Sequence, residues 1–266
     1  MSLFIASLNS GSNGNCYYIA NHHEAVLIDA GISCRETEIR MKRLNLSMKK
    51  LKAIFITHEH RDHVKGVRVL SKKYQLPVYI TNATLQNRVS VKRHLVAHFE
   101  AYKPVKVGGL TVTGFPKFHD ASDPHSFIVA NETVRVGVFT DIGVACNHVI
   151  DHFQQCHAAF LEANYDDHML ETGPYPLQLK NRIRSDVGHL SNAQALDLFV
   201  KHRPSFMSHL FLSHISKENN SPALVESLFK PVAGDTSIVI ASRYKETKVF
   251  PIHHQAVAQE VQLSLF

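Results

Sequence analysis

The chain has 266 residues, 44% of them hydrophobic, and carries 29 Lys and Arg against 23 Asp and Glu, a net charge of +6 with histidine neutral. That length is enough for one large domain or two small ones. No apolar run reaches the ~18 residues of a membrane-spanning helix. The N-terminal Met1-Ser2-Leu3-Phe4-Ile5 lacks the basic region and cleavage site of a signal peptide.

The basic excess favours polyanionic partners without naming one. Cys16, Cys34, Cys146 and Cys156 form no Cys-x-x-Cys pair. They are expected to be reduced thiols in a cytoplasmic protein.

In chain order, residues 2–8 read as a first strand, followed by a turn of small polar residues over 9–15. Strands over 16–20 and 25–28 pair across Asn21-His22-His23-Glu24. The second of these runs into Asp29-Ala30-Gly31. A helix is expected over 33–44, opened by a Ser33/Glu36 capping box. The apolar run Ala53-Ile54-Phe55-Ile56 reads as a buried strand and leads into Thr57-His58-Glu59-His60-Arg61-Asp62-His63. A helix over 67–74, a strand over 78–80 and a basic helix over 83–93 follow. Strands over 105–107 and 110–114 meet across Gly108-Gly109. A second hairpin, 126–130 with 134–139, turns at Asn131-Glu132.

The second half alternates a helix over 149–155, a strand over 158–161 ending at Glu162, and an irregular stretch over 165–184. Next come a helix over 191–202 with a Ser191/Gln194 capping box, a strand over 209–212 and a helix over 221–229. Strands over 237–241 and 248–250 close the chain, and the tail beyond Pro251 is either frayed or docked elsewhere. No repeat and no low-complexity linker divides the sequence. Residues 1–266 therefore read as one domain of two packed sheets flanked by helices, an α/β/β/α sandwich.

Chemistry concentrates at the strand end after Ile56. With 19 histidines in the chain, no single one carries weight, but a complete His-x-His-x-Asp-His run at a strand end does. His58 and His60 alternate, so extended backbone points both to one side. Asp62 and His63 follow a bend and can face a second point. Imidazole and carboxylate are the donors that hydrolytic metals use. His119, Asp141 and His214 recur near later strand ends, where loops at one edge of a sandwich converge.

These residues resemble the metallo-β-lactamase-fold superfamily over nearly the whole chain. The resemblance implies that His58, His60 and His119 hold one metal and that Asp62, His63 and His214 hold the other. Asp141 would bridge the two, and Asp29 would brace the histidine-rich loop. His60 stands where flavodiiron proteins carry Glu, and Asp141 stands where β-lactamases lack a bridging carboxylate. The stretch between Asp141 and His214 is too short for the inserted domain of ribonuclease J.

Glu162-Ala163-Asn164 and Gly188-His189-Leu190-Ser191-Asn192 resemble pieces of ribonuclease Z. Together with Gly11-Ser12-Asn13-Gly14-Asn15, His119-Asp120-Ala121, Thr140-Asp141-Ile142-Gly143 and Leu212-Ser213-His214-Ile215-Ser216, they are similar to the WalJ-like bacterial exonuclease branch. That branch implies a DNA phosphodiesterase with 5′-to-3′ exonuclease character and two divalent ions, zinc or manganese, with iron as a third candidate. DNA is favoured over RNA, and no oligomeric state is indicated.

Two such ions acidify a shared water and clamp a phosphoryl oxygen. Asp62 would orient or deprotonate the nucleophile. His189, held by Glu162, would protonate the leaving oxygen. Ser12 and Asn13 offer the turn's hydroxyl and N–H groups to phosphate. Lys180, Arg182 and Arg184 offer cations to it. The alternatives are a thioesterase of the glyoxalase II type, an RNA-processing nuclease, and a non-catalytic metal-bearing regulator.

Overall fold

The computed structural model describes residues 2–87 and 89–254. The first half contains β1 (Leu3–Asn9), β2 (Cys16–Ala20), β3 (Ala25–Ile28), α1 (Cys34–Arg43), β4 (Leu51–Phe55), α2 (Arg61–Val64), α3 (Val67–Tyr74), β5 (Val78–Tyr79), α4 (Asn82–Gln86) and β6 (Val96–Ala97). The second half contains β7 (Val105–Val107), β8 (Leu110–Pro116), β9 (His125–Ala130), β10 (Arg135–Phe139), α5 (Asn147–Phe153), β11 (Ala158–Glu162), α6 (Asp167–Thr172), α7 (Leu177–Ile183), α8 (Asn192–His202), β12 (His209–Ser213), α9 (Pro222–Phe229), β13 (Ser237–Ile240) and β14 (Phe250–Ile252).

The strands form two seven-stranded sheets, ordered β14-β1-β2-β3-β4-β5-β6 and β13-β12-β11-β10-β9-β8-β7. Period-two alternation explains how each sheet buries both faces. On β4, Ala53 and Phe55 enter the core between the sheets while Ile54 faces the helices behind, and a register shift between Leu51 and Ala53 puts Leu51 on the helix side as well. On β11, Ala158 and Phe160 point inward and Ala159 and Leu161 outward. Met41 of α1 with Val67 and Leu70 of α3 cover the first sheet. Phe153 of α5, Phe199 of α8 and Phe229 of α9 cover the second. The result is the expected four-layer α/β/β/α sandwich.

Strand direction positions the site. β3 and β4 are parallel, as are β10, β11 and β12. β1 and β8 each reach the same sense through one antiparallel neighbour. The C-terminal ends of all seven strands therefore open at one edge of the sandwich.

Several expectations need correction. The basic helix over 83–93 is only α4, because Asn87 closes it at ψ 61° and Val89 turns into the core under the first sheet. The stretch over 165–184 is regular: α6 is capped by Asp166, whose side chain accepts from Met169 N–H, and α7 starts after Pro176. Gly173-Pro174-Tyr175-Pro176 is the short loop between these two helices. The final strand lies at Phe250–Ile252, not 248–250, and pairs with β1 at the edge of the first sheet, across from β13 in the second. The 33–44 capping box is half formed, since Ser33 accepts from Glu36 N–H while the Glu36 carboxylate turns to Arg40. The tail from 255 onward lies outside the described residues.

Candidate metal centre

Seven side chains from distant parts of the chain meet at that edge. His58, His60 and His119 bring ring nitrogens within 4.8 Å of one another, and so do the donors of Asp62, His63 and His214. Asp141 joins His58 and His63 in a third such group, lying between the first two. His58, His63, His119, Asp141 and His214 are buried, while Asp62 keeps a partly exposed carboxylate.

Ring orientation follows from what each Nδ1 touches. A carboxylate only accepts, so a nitrogen facing one must carry the proton. His63 donates Nδ1–H to Asp29 at 2.6 Å and His214 to Glu162 at 2.9 Å. His119 donates to the Gly188 carbonyl at 3.0 Å. His58 donates to the Thr57 hydroxyl at 2.9 Å, and that hydroxyl passes its own hydrogen to Asp29 at 2.8 Å. Each of these rings is left with an Nε2 lone pair for a cation, the arrangement expected of ligating imidazoles. Asp29 thus sets two rings, one directly and one through Thr57.

The backbone is strained where the ligands sit. Among the described residues, six non-glycine residues have positive φ, and three of them are Asp29 (60°), Asp141 (54°) and His214 (54°). Such conformations cost ~1–3 kcal/mol and persist where surrounding contacts impose them. Gly31 lets the loop close, because a Cβ there would lie 1.6 Å from the Asp62 carbonyl oxygen.

The charges compensate one another. Burial opposes a charged His63, yet Asp141, Asp29 and Asp62 outweigh it and raise its pKa well above the usual imidazole range. Burial likewise opposes charge on His214, but Asp141, Asp62 and Glu162 push it up to about 10. Burial resists ionisation of Asp141, which His214 and His63 nevertheless hold well below the carboxylate range. His58 and His119 are depressed, chiefly by burial. The carboxylates therefore demand positive charge at this point, which a pair of divalent cations would meet. Asp141 Oδ2 and His214 Nε2 are buried without a hydrogen bond, Asp141 Oδ2 lying 3.1 Å from His63 Nε2 and His214 Nε2 lying 3.5 Å from Asp62 Oδ2. The donor chemistry and these orphaned atoms both fit divalent metal.

The second expected pair also forms. His189 donates Nδ1–H to Glu162 Oε1 at 2.8 Å, and Glu162 Oε2 accepts from the Ile142 and Leu190 N–H groups. Burial resists charge on Glu162, but His189 and His214 hold the carboxyl down at about 2. His189 and His214 line a cleft of about 220 Å³ together with Ser12, Tyr175 and Arg182.

The other expected substrate contacts divide. Arg182 lines the cleft and also binds Asp120. Lys180 and Arg184 do not line it; they bind the carbonyl and carboxylate of Glu171. Asn13 donates to the Arg243 carbonyl.

Sequence reasoning misses four neighbours. Thr57 and Asn15 stand inside the motifs, but nothing in the motifs discloses their roles. Asn15 Nδ2 lies 3.0 Å from His63 Nε2 and 3.2 Å from Asp62 Oδ2. Asn164 donates to the His214 carbonyl at 2.9 Å. Lys117 is buried beside the carboxylates and donates to the Thr140 carbonyl at 2.6 Å. A lysine two residues before a ligand gives no signal, since lysine is ordinarily solvated.

An α/β/β/α sandwich with such a centre at its strand ends defines a metal-dependent hydrolase. The chain belongs to the β-lactamase superfamily, whose domain profile matches residues 24–215. It is 33% identical over 232 residues to exodeoxyribonuclease YycJ of Bacillus anthracis, covering 84% of this chain and 86% of that one. It is 32% identical over 222 residues to exodeoxyribonuclease WalJ of Streptococcus pneumoniae, covering 80% and 81%. The crystal structure of the metallo-β-lactamase fold protein YhfI from Bacillus subtilis superposes with a TM-score of 0.72 at 16% identity, covering 94% of this chain and all of that one.

Proposed function

We propose that this chain is a nuclease that hydrolyses phosphodiesters of DNA, working from a 5′ end. The observation that carries the reading is the meeting of seven metal-type donors with the Glu162–His189 pair, where His189 and His214 open onto one cleft. The choice of DNA and of exonucleolytic action is supported by the names of the two relatives. The 5′-to-3′ polarity is carried over from the WalJ-like resemblance.

In this reading His58, His60 and His119 hold one divalent ion, Asp62, His63 and His214 the second, and Asp141 stands between them. Zinc or manganese suits that mixed donor set, with iron as a third candidate. When bound, the ions supply Lewis acidity toward a phosphoryl oxygen and toward water. Asp62, partly exposed, orients the nucleophile. Glu162 fixes the His189 ring through Nδ1, so His189 Nε2 delivers a proton to the departing 3′ oxygen. Ser12 and Arg182 contact phosphate from the cleft wall, which gives sequence-independent, salt-dependent binding. Lys180 and Arg184 secure α7 to α6 through Glu171 rather than meeting substrate. The four cysteines are free thiols, which suits a cytoplasmic enzyme.

The test is a side-by-side assay of the zinc- or manganese-loaded protein on end-labelled linear DNA, RNA and a thioester. Stepwise release from the 5′ end of linear DNA is expected, and it should be abolished by EDTA. His189→Ala should lower kcat by about 10²- to 10⁴-fold with metal content unchanged. Thioester turnover without phosphodiester cleavage would overturn the reading.

A further inference from the structure

A second groove, of about 360 Å³, adjoins the cleft. The two share Ile215 and Ser216 as walls. The groove also reaches Ser10, whose hydroxyl accepts the His214 backbone N–H at 2.7 Å. Its volume lies within the ~300–1,000 Å³ of ordinary ligand pockets. Ile240, Ala241 and Pro222 make its floor apolar, while Lys217, Arg243 and Lys245 supply cations at its rim.

Tyr244 is the aromatic side chain among the lining residues, and it is 70% exposed. Its backbone is nonetheless fixed. Its carbonyl accepts from Arg40 Nη2 at 3.2 Å, and its N–H donates to the Ser242 hydroxyl at 3.1 Å. Arg40 is itself buried and bound to the Leu8 carbonyl and Asn9. The adjoining residues brace on the Ser10–Asn15 turn: the Arg243 carbonyl accepts from Asn13 at 2.8 Å and Arg243 Nη2 donates to Ser12 at 3.3 Å. Arg243 Nη1 is buried without a hydrogen-bond partner. Lys217 shares an exposed ion pair with Glu218 at 3.1 Å. A held backbone that leaves an aromatic face open beside solvent-facing cations is the composition of a single-strand stacking platform.

We propose that this groove holds the nucleotide next to the one whose phosphate is cut. Its base stacks on Tyr244 over the apolar floor, and its phosphate meets Lys217, Arg243 and Lys245. The proposal rests on the nuclease reading and adds the form of the substrate. A base whose face is taken by Tyr244 is not paired and stacked in a duplex, so the strand enters the groove as a frayed or single-stranded end.

The experiment measures cleavage and binding of single-stranded DNA oligonucleotides by the metal-loaded protein and its Tyr244→Ala and Tyr244→Phe variants. Tyr244→Ala should raise KM and Kd about 5- to 140-fold with kcat retained, one stacked base being worth ~1–3 kcal/mol and each 1.4 kcal/mol tenfold. Tyr244→Phe should restore wild-type values. Lys217→Ala/Lys245→Ala should flatten the log–log salt slope of binding, by about 0.7 for each phosphate that no longer meets a cation. Wild-type cleavage with unchanged KM in Tyr244→Ala overturns the groove assignment alone. Failure of the wild-type protein to cut any oligonucleotide overturns the nuclease reading beneath it.

Discussion

Asp29 shows how one side chain holds a member and a neighbour of a donor cluster that it does not join. It is fully buried and accepts from Thr57 N–H at 2.9 Å, the Thr57 hydroxyl at 2.8 Å and His63 Nδ1 at 2.6 Å. Asp29→Ala strands three buried donors, each costing ~1–3 kcal/mol when unpaired, so roughly 3 kcal/mol or more of stability should disappear in urea unfolding. Asp29→Asn keeps the size but offers His63 an N–H in place of an acceptor. Its zinc affinity, measured by calorimetric titration, should fall about 10- to 100-fold; an unchanged affinity would remove Asp29 from ring positioning. The family resemblance is what pointed to Asp29, and its hydrogen bonds to Thr57 and His63 lie on the loop that the resemblance indicated. Thr57 was not legible in that way, because a hydroxyl's task depends on which two groups it lies between.

At the scale of elements, α8 connects stability to the site. Its Ser191 hydroxyl accepts from Gln194 N–H at 3.2 Å, and the Gln194 amide accepts from Ser191 N–H at 2.8 Å, so the expected capping box is complete. His189 and Leu190, which bind Glu162, immediately precede this cap. Ser191→Ala should cost about 1 kcal/mol of stability and loosen the hold of Glu162 on His189. The expected signature is a lower kcat at unchanged metal content, read from kinetics beside a thermal melt. Destabilisation with an unchanged kcat would show that the cap serves the helix alone. Capping residues act on neighbours three positions away, which is why Ser191 and Gln194 could be read from sequence. α6 and α7 could not: each is short, and their apolar residues Leu170 and Ile183 become one cluster with Tyr165 only when the two helices fold against each other.

For the whole molecule, two histidines away from the centre, His157 buried and His209 half-buried, set an acid limit. Burial, reinforced by the charges of His254 and Arg135, pushes the His157 pKa down, and burial with Lys248 does the same to His209. His157 Nδ1 also accepts the Arg135 N–H at 3.2 Å, a hydrogen bond that protonation would break. The unfolded chain takes up these protons near the ordinary imidazole value of ~6.5, while the folded chain resists until lower pH. Their contribution is therefore complete above ~6.5 and is lost as pH falls through the depressed folded values. The urea midpoint of the wild-type protein should drop more steeply below pH ~6.5 than that of a His157→Gln/His209→Gln variant, and the difference between them cancels the response of the metal centre. Parallel slopes would sink the argument.

The sequence by itself determined the sandwich and the donor set. Alternation of apolar residues is a property of neighbours in the chain, and imidazole and carboxylate keep their chemistry wherever they are carried. It also reached as far as pairing Glu162 with His189, because both stand in motifs. Tertiary structure alone decided the rest: that Lys180 and Arg184 turn to Glu171 while Arg182 faces the cleft, that β14 crosses back to β1, and that Arg40 anchors the carbonyl of Tyr244. Those outcomes depend on which residues from remote segments arrive at the same place. Sheet order and strand register set that arrival, and they are settled only when the two sheets close over a shared core.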